Sequence, residues 1–236
     1  MTTTHITPAR TIEHLTDEHP AWPYGTGTDA PGEAWAIGNV DLLTQAHRAV
    51  ALIGSRACTA YGETVAHEFA HGIVRAGRPI ITDLGFGIAA AATRGALSVS
   101  DDDVPAHVIV QAPAHVEHIH PHAHARLAGH VLDAGGVIVS TTPPGGVATL
   151  TRTRRNAQTI GRLAAATVVI EAGERSASRL TIETAYDANR PTYAVPGPLT
   201  SVTSRGCHDL IRRGRAGITT GPDEVLGVLE VVDLLH

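Results

Sequence analysis

The sequence contains no lysine, so all 18 of its basic residues are arginine. It has two cysteines, Cys58 and Cys207. Because they match neither a disulfide framework nor a zinc-binding pattern, we interpret both as reduced, packed thiols. No apolar run approaches the roughly 18 residues that a membrane-spanning helix requires, and residues 1–20 lack the apolar core of a secretory signal. These absences argue against a disulfide-stabilised secreted domain and a membrane protein, and they favour a cytoplasmic protein.

Positive charge is concentrated in one part of the chain. The whole chain carries a formal net charge of −5, yet residues 150–215 hold eleven arginines against five acidic residues. Four of these arginines fall within residues 151–162, directly after a Pro-Pro-Gly-Gly turn. Because acidic segments flank this region on both sides, the charge pattern indicates a local anion site rather than a surface that is basic throughout.

From residue 49 onward, short runs rich in Val and Ile alternate with helical segments. The predicted strands are 49–54, 79–83, 107–112, 136–141, 167–172, 192–197 and 217–220, and the predicted helices are 63–76, 87–98, 122–134, 152–164, 178–189, 206–213 and 223–235. Strands of this kind, separated by helices, indicate a parallel sheet that is buried on both faces. The predicted fold class is therefore α/β, a Rossmann-like doubly wound, mostly parallel sheet with helices on both faces, over residues 48–236. Residues 1–47 show no sustained period and are predicted to form a short N-terminal extension.

Glycine and hydroxyl residues follow five of the predicted strands. In doubly wound folds, ligands bind beyond the carboxyl ends of the strands. Glycine lets a ligand approach the backbone closely, and helix N-termini favour anions. The turns in question cover residues 54–62, 82–87, 140–146, 171–178 and 195–198. Together they predict a phosphate-binding rim beside the arginine-rich segment.

Several ordered motifs resemble those of the DNA-processing protein family DprA, also called Smf. They are GSR…YG (54–62), GxGIxxxAxRGAL (85–97), RRN (154–156), VVIEAGERSxSxxT (168–181), AVPGP (194–198) and SRGCHDLI (204–211). The resemblance covers about residues 48–221. It implies a Rossmann-like domain that binds single-stranded DNA, forms a homodimer and loads a RecA-type recombinase during natural transformation. It implies no catalysis, no cofactor and no metal.

The resemblance also implies which residues contact the DNA backbone. Gly54, Ser55 and Arg56 match the first turn, and Arg154, Arg155 and Asn156 match the arginine-asparagine motif of the family. The full predicted DNA- or phosphate-binding set is Gly54, Ser55, Arg56, Gly85, Gly87, Arg152, Arg154, Arg155, Asn156, Glu171, Ser176, Ser178, Thr181, Pro196 and Gly197. The chain departs from the family pattern where Arg152-Thr153 replace Phe-Pro, so an aromatic residue available for base stacking is missing there.

Two other functions fit parts of the pattern. The same rim suits a sensor or carrier that holds a small phosphorylated nucleotide. The segment PPGGVATLT (143–151) resembles the loop of LOG-type nucleoside-monophosphate phosphoribohydrolases, but Thr151 and Arg152 stand where that enzyme needs a glutamate. The histidine-rich stretch 115–130 also leaves three interpretations open, which are a metal site, a contact to bases or phosphate at the rim, and a solvated turn.

Overall fold

The structure is a computed structural model and describes residues 11–26, 30–99, 107–174 and 176–234. Within these residues the strands are β1 (Ile12–Leu15), β2 (Ala34–Gly38), β3 (Val50–Ile53), β4 (Ile80–Thr82), β5 (Val108–Gln111), β6 (Val137–Ser140), β7 (Ala166–Val169), β8 (Thr192–Ala194) and β9 (Gly217–Ile218). The α-helices are α1 (Ala60–Arg75), α2 (Ile88–Leu97), α3 (Ala125–Asp133), α4 (Leu150–Leu163), α5 (Ser178–Asp187), α6 (Arg205–Arg212) and α7 (Pro222–Leu234), and two 3₁₀ helices span Val40–Arg48 and His122–His124.

The strands form one sheet in the order β1-β2-β6-β5-β4-β3-β7-β8-β9. The seven strands from β6 to β9 in this order are parallel to one another, whereas β1 and β2 pair antiparallel at the β6 edge. The predicted fold class is confirmed. The hydrophobic pattern did not predict β1, β2 or the 3₁₀ helix Val40–Arg48, all of which lie within residues 1–48.

Two helical layers cover the sheet. On one face, α1, α2, α3 and α7 pack in a core that includes Phe69 and Ile88. On the other face, the 3₁₀ helix Val40–Arg48 and helices α4, α5 and α6 pack against the strands. Side chains alternate between these faces, so Leu52 lies in the first core and Ile53 in the second. Burial on both faces explains why strands β3 to β7 are rich in Val and Ile.

The two cysteines are free thiols. Cys207 is fully buried in the second core, and burial raises its pKa to about 12, so it is an uncharged packing residue. Cys58 is half-buried.

None of the helices in the described ranges is both long enough and apolar enough to cross a membrane.

Parallel strands bring the loops at their carboxyl ends to one edge of the sheet. We call this edge the rim, and it comprises the loops 54–59, 83–87, 112–121, 141–149, 170–174 and 195–204. Helices α1 and α4 begin at the rim with threonine caps, since Thr59 Oγ1 accepts from Gly62 N and Thr149 Oγ1 accepts from Arg152 N. Such caps fix the first turn and direct the partial positive charge of each helix N-terminus at the rim.

Candidate functional site

The two glycine loops, residues 54–56 and 83–87, pack against each other at the centre of the rim. The carbonyl oxygen of Ser55 accepts a hydrogen bond from Ile88 N at 3.1 Å. Gly87 has φ +67°, and a Cβ added there would collide with the Ser55 and Arg56 carbonyl oxygens. Only glycine therefore allows this contact, which joins the loops at the carboxyl ends of β3 and β4 into one platform.

Glu171 lies beneath this platform. Its side chain is only 2% exposed, and its carboxylate accepts hydrogen bonds from Thr59 N at 2.8 Å, from Thr59 Oγ1 at 2.7 Å and from Thr203 Oγ1 at 3.0 Å. Its carbonyl oxygen accepts from Ser55 N at 2.6 Å. An added Cβ at Gly62 would collide with the carboxylate. Glu171 therefore joins three rim segments from below and holds a negative charge at the N-terminus of α1, where the helix dipole favours it.

Pro196 and Gly197 are fixed between α1 and α6. The Tyr61 hydroxyl donates to the Pro196 carbonyl oxygen at 3.0 Å, and His208 Nε2 lies 3.0 Å from the Gly197 carbonyl oxygen. Burial raises the pKa of Tyr61, and the nearby charge of Glu171 raises it further. Tyr61 therefore stays a neutral hydrogen-bond donor, and both backbone carbonyls already have partners.

The first turns of α4 present arginines at the rim. Arg152 folds back over its own loop, with Nη1 donating to the Val147 carbonyl oxygen at 2.8 Å. Arg154 and Arg155 are exposed, as is Arg56 beyond β3. Within the part of the chain that the structure describes, none of these four arginines forms an ion pair with a carboxylate. Their positive charge is therefore available to an anion.

Asn156 fixes the position of these arginines. It is 5% exposed, and its Nδ2 donates to the Gln111 carbonyl oxygen at 2.7 Å, at the end of β5. The Gln111 side chain in turn accepts from the Tyr24 hydroxyl at 2.8 Å. Asn156 therefore faces the protein interior and attaches α4 to the sheet directly after the exposed Arg154 and Arg155.

Other arginines of the basic region are engaged by a carboxylate. Three guanidinium groups surround Asp209, at 2.7 Å from Arg212, 2.9 Å from Arg213 and 3.1 Å from Arg179. The pKa of Asp209 lies below its ordinary value, chiefly because Arg212 and then Arg213 donate hydrogen bonds to it. Three arginines of the basic region thus cluster on Asp209, whereas Arg152, Arg154 and Arg155 on α4 have no carboxylate partner among the described residues.

The serine-rich segment before α5 is only partly at the surface. Ser176 Oγ and Ser178 Oγ lie 2.6 Å apart, and Ser176 remains half-exposed. Ser178 is 8% and Thr181 3% exposed, and an added Cβ at Gly161 of α4 would collide with the Thr181 carbonyl oxygen. The structure therefore brings Ser176 to the rim and places Thr181 in the contact between α4 and α5.

The histidine-rich stretch 115–130 separates into different environments. His115 is 2% exposed and lies 3.2 Å from Glu117, and burial lowers its pKa. His124 Nδ1 lies 2.8 Å from the Leu84 carbonyl oxygen. Over the described ranges, no group of three or more His, Cys, Asp or Glu side chains is arranged to hold a metal ion.

The predicted residues share one edge of the sheet but spread along it. The loop that leads to α4 follows β6, and the glycine loops follow β4 and β3. From β6 to β3 there are three strand intervals, which amount to about 14 Å at the usual spacing. Sequence reasoning missed Thr59 and Thr203, which hold this edge through Glu171; of the two, only Thr59 carries a local signal, as a threonine directly before a helix.

A family model matches almost the whole described chain. The family is described as DNA recombination-mediator protein A, and the match covers residues 11–230. The chain belongs to this family. It is 35% identical to the putative DNA processing protein DprA of Mycobacterium tuberculosis over 196 residues, which are 83% of this chain and 49% of that protein. The chain thus spans about half the length of that relative.

Solved structures of the family agree with the fold. The X-ray structure of DNA processing protein A from Streptococcus pneumoniae has a TM-score of 0.79 at 27% identity and covers 92% of this chain and 74% of its own. DNA processing protein A from Helicobacter pylori, whose structure concerns a single-stranded DNA binding mode, has a TM-score of 0.79 at 19% identity, with 92% of this chain and 95% of its own covered. At that identity the second likeness shows a shared fold.

Proposed function

We propose that this chain binds the backbone of single-stranded DNA along the rim and acts in DNA processing and recombination without catalysis. The observation that carries the proposal is the set of four arginines, Arg56, Arg152, Arg154 and Arg155, that no described carboxylate compensates on the edge where the glycine loops lie. Family membership supports it, as does the single-stranded DNA binding mode of the Helicobacter pylori relative. Arginine suits this task because its planar fork grips phosphate at two points.

Most of the predicted residues have one of two roles in this proposal. Phosphate contacts come from Arg56, Arg154, Arg155 and Ser176, which the structure leaves accessible, and from the backbone of the glycine loops. Arg152, Asn156 and Glu171 hold the loops and helix that present these groups. The buried positions of Asn156 and Glu171 therefore support a positioning role rather than direct contact.

We infer two protein partners, and family membership supports both. We infer a RecA-type recombinase, tested by measuring whether this chain increases recombinase loading on single-stranded DNA, with unchanged loading as the contrary result. We infer a homodimer through α7, because Val228, Val231 and Leu234 are exposed there, and a monomer mass in sedimentation equilibrium would contradict it. With these partners we infer a cytoplasmic location.

Fluorescence anisotropy of a labelled oligonucleotide, titrated at several salt concentrations, tests the binding function. For single strands, log K falls with log[salt] by about 0.7 per neutralised phosphate, so three or more contacts give a slope of about −2 or steeper. Affinity is also expected to rise with oligonucleotide length. A shallow slope without dependence on length would instead indicate a mononucleotide carrier, and release of free base from a nucleoside monophosphate would contradict the absence of catalysis.

A further inference from the structure

An exposed aromatic pair lies at the rim beside the glycine loops. The side chain of Phe86 is 47% exposed although it is large and apolar. Its ring meets the ring of His124 edge to face, with centroids 4.8 Å apart and an interplanar angle of 64°. The two rings thus support each other in a T-shaped contact, and nearly half of Phe86 is left accessible to a ligand.

The backbone holds this pair in place. Leu84 has φ +59°, a backbone conformation that residues other than glycine seldom adopt. Gly87 has φ +67°. The Leu84 carbonyl oxygen lies 2.8 Å from His124 Nδ1. Because a carbonyl oxygen only accepts, Nδ1 carries the hydrogen, and this bond fixes the orientation of the imidazole ring. The pair is therefore a preorganised surface and not two separate exposed rings.

His124 also lines an open groove between α2 and α3. The groove has a volume of about 500 Å³, and its lining includes Arg94, Arg126 and His130. Both arginines are exposed, and neither forms an ion pair with a carboxylate among the described residues. The groove thus combines a fixed aromatic surface at one end with uncompensated positive charge along its walls.

We propose that Phe86 stacks on a base of the bound single strand and that Arg94 and Arg126 receive the phosphates that follow it. This inference rests on the proposed function, since it extends the same ligand from the rim into the groove between α2 and α3. A single-stranded nucleic acid is the occupant that fits, because it alternates flat aromatic rings with negative esters, and stacking tolerates any base. The proposal also supplies the aromatic contact that Arg152-Thr153 cannot make.

Oligonucleotides with and without bases test the stacking contact. Phe86→Ala is expected to weaken binding of oligothymidylate between about 5-fold and 150-fold, and Phe86→Tyr, which keeps the ring, should bind like the unmodified chain. An abasic oligonucleotide of the same length should bind Phe86→Ala and the unmodified chain equally, because it carries only the phosphates. Equal loss with both oligonucleotides, or no loss with either, would overturn the proposal.

The groove arginines need a separate measurement. Arg94→Ala combined with Arg126→Ala should make the salt slope shallower by about 1.4 if both contact phosphate. The control is Arg75→Ala combined with Arg190→Ala, which removes two exposed arginines at the opposite edge of the sheet and should leave the slope unchanged. An unchanged slope in the groove variant would refute phosphate binding there.

The outcomes separate this inference from the function on which it rests. If the unmodified chain binds no single-stranded oligonucleotide, the proposed function itself fails. If the chain binds with a steep salt slope but Phe86→Ala has no base-dependent effect, only the stacking contact fails. If an acidic peptide binds in the groove and does not displace the abasic oligonucleotide, the groove belongs to a protein partner instead, and the proposal is wrong.

Discussion

Replacing Arg154 and Arg155 together with alanine is expected to weaken binding of a single-stranded oligonucleotide on the order of 100-fold or more, since hydrogen bonds to charged groups are each worth about 1.5–3 kcal/mol and two such contacts are lost. The salt slope should become shallower by about 1.4, because two phosphate contacts are lost. Both side chains are exposed on α4, and their neighbour Asn156 keeps its bond to Gln111. The free energy of unfolding should therefore stay unchanged.

Two control variants show whether the loss depends on the shape and the position of these arginines. Arg154→Lys combined with Arg155→Lys keeps the charge but loses the planar fork, so we expect the salt slope to persist while affinity falls in part. Arg75→Ala combined with Arg190→Ala removes the same charge from the opposite edge and should leave the affinity nearly unaffected. If the two alanine pairs weaken binding equally, the effect is one of net charge, and the rim assignment is wrong.

Substituting Glu171 with alanine is expected to lower the free energy of unfolding by roughly 2–4 kcal/mol, measured by urea denaturation. The change leaves Thr59 N, Thr59 Oγ1 and Thr203 Oγ1 without the carboxylate that accepts from them. Gly62→Ala should also destabilise the chain, by about 1–3 kcal/mol, because the new methyl group meets the same carboxylate. Both changes loosen the segments that Glu171 joins.

The double variant provides the sharper measurement. With Glu171→Ala in place, the methyl group of Gly62→Ala enters vacated space, so the double variant should lose less stability than the sum of the single ones. Gly129→Ala in α3 is a matched control, because nothing lies within 4 Å of its added Cβ. It should stabilise the helix by about 0.5–1 kcal/mol. Strict additivity of Gly62→Ala and Glu171→Ala would show that the two residues do not interact.

Much of the fold follows from local pattern. Strands β3 to β7 are rich in Val and Ile, as expected where helices cover both faces of a sheet. The pattern places each of the seven parallel strands within a few residues of its observed bounds. Strands β1 and β2 were missed because IEHL and AWAIG are short and mix burial with exposure at a sheet edge. The pairing of β2 with β6 depends on contacts about 100 residues apart in sequence.

The candidate site was predictable in outline but not in detail. Parallel strands bring the glycine turns and the arginines to one edge. The alternation of strands and helices in the sequence is enough to predict this. The role of Glu171 does not, since its hydrogen bonds reach Thr59, 112 residues away, and only a folded chain shows that its carboxylate points inward. The contact of Phe86 with His124 likewise joins two loops that no motif connects.

The antiparallel pair β1 and β2 has a practical consequence for fragments of this chain. A fragment that starts at residue 48 would keep every rim residue, yet it would strip β2 from β6 and leave a row of backbone amides and carbonyls unpaired. Open strand edges of this kind recruit other chains and promote aggregation. In the intact sheet the outermost strand is instead the four-residue β1, whose Glu13 and His14 are polar. Solubility therefore limits how far the N-terminus can be trimmed, and so does core packing, since Leu15 and Leu43 are buried in the removed segment.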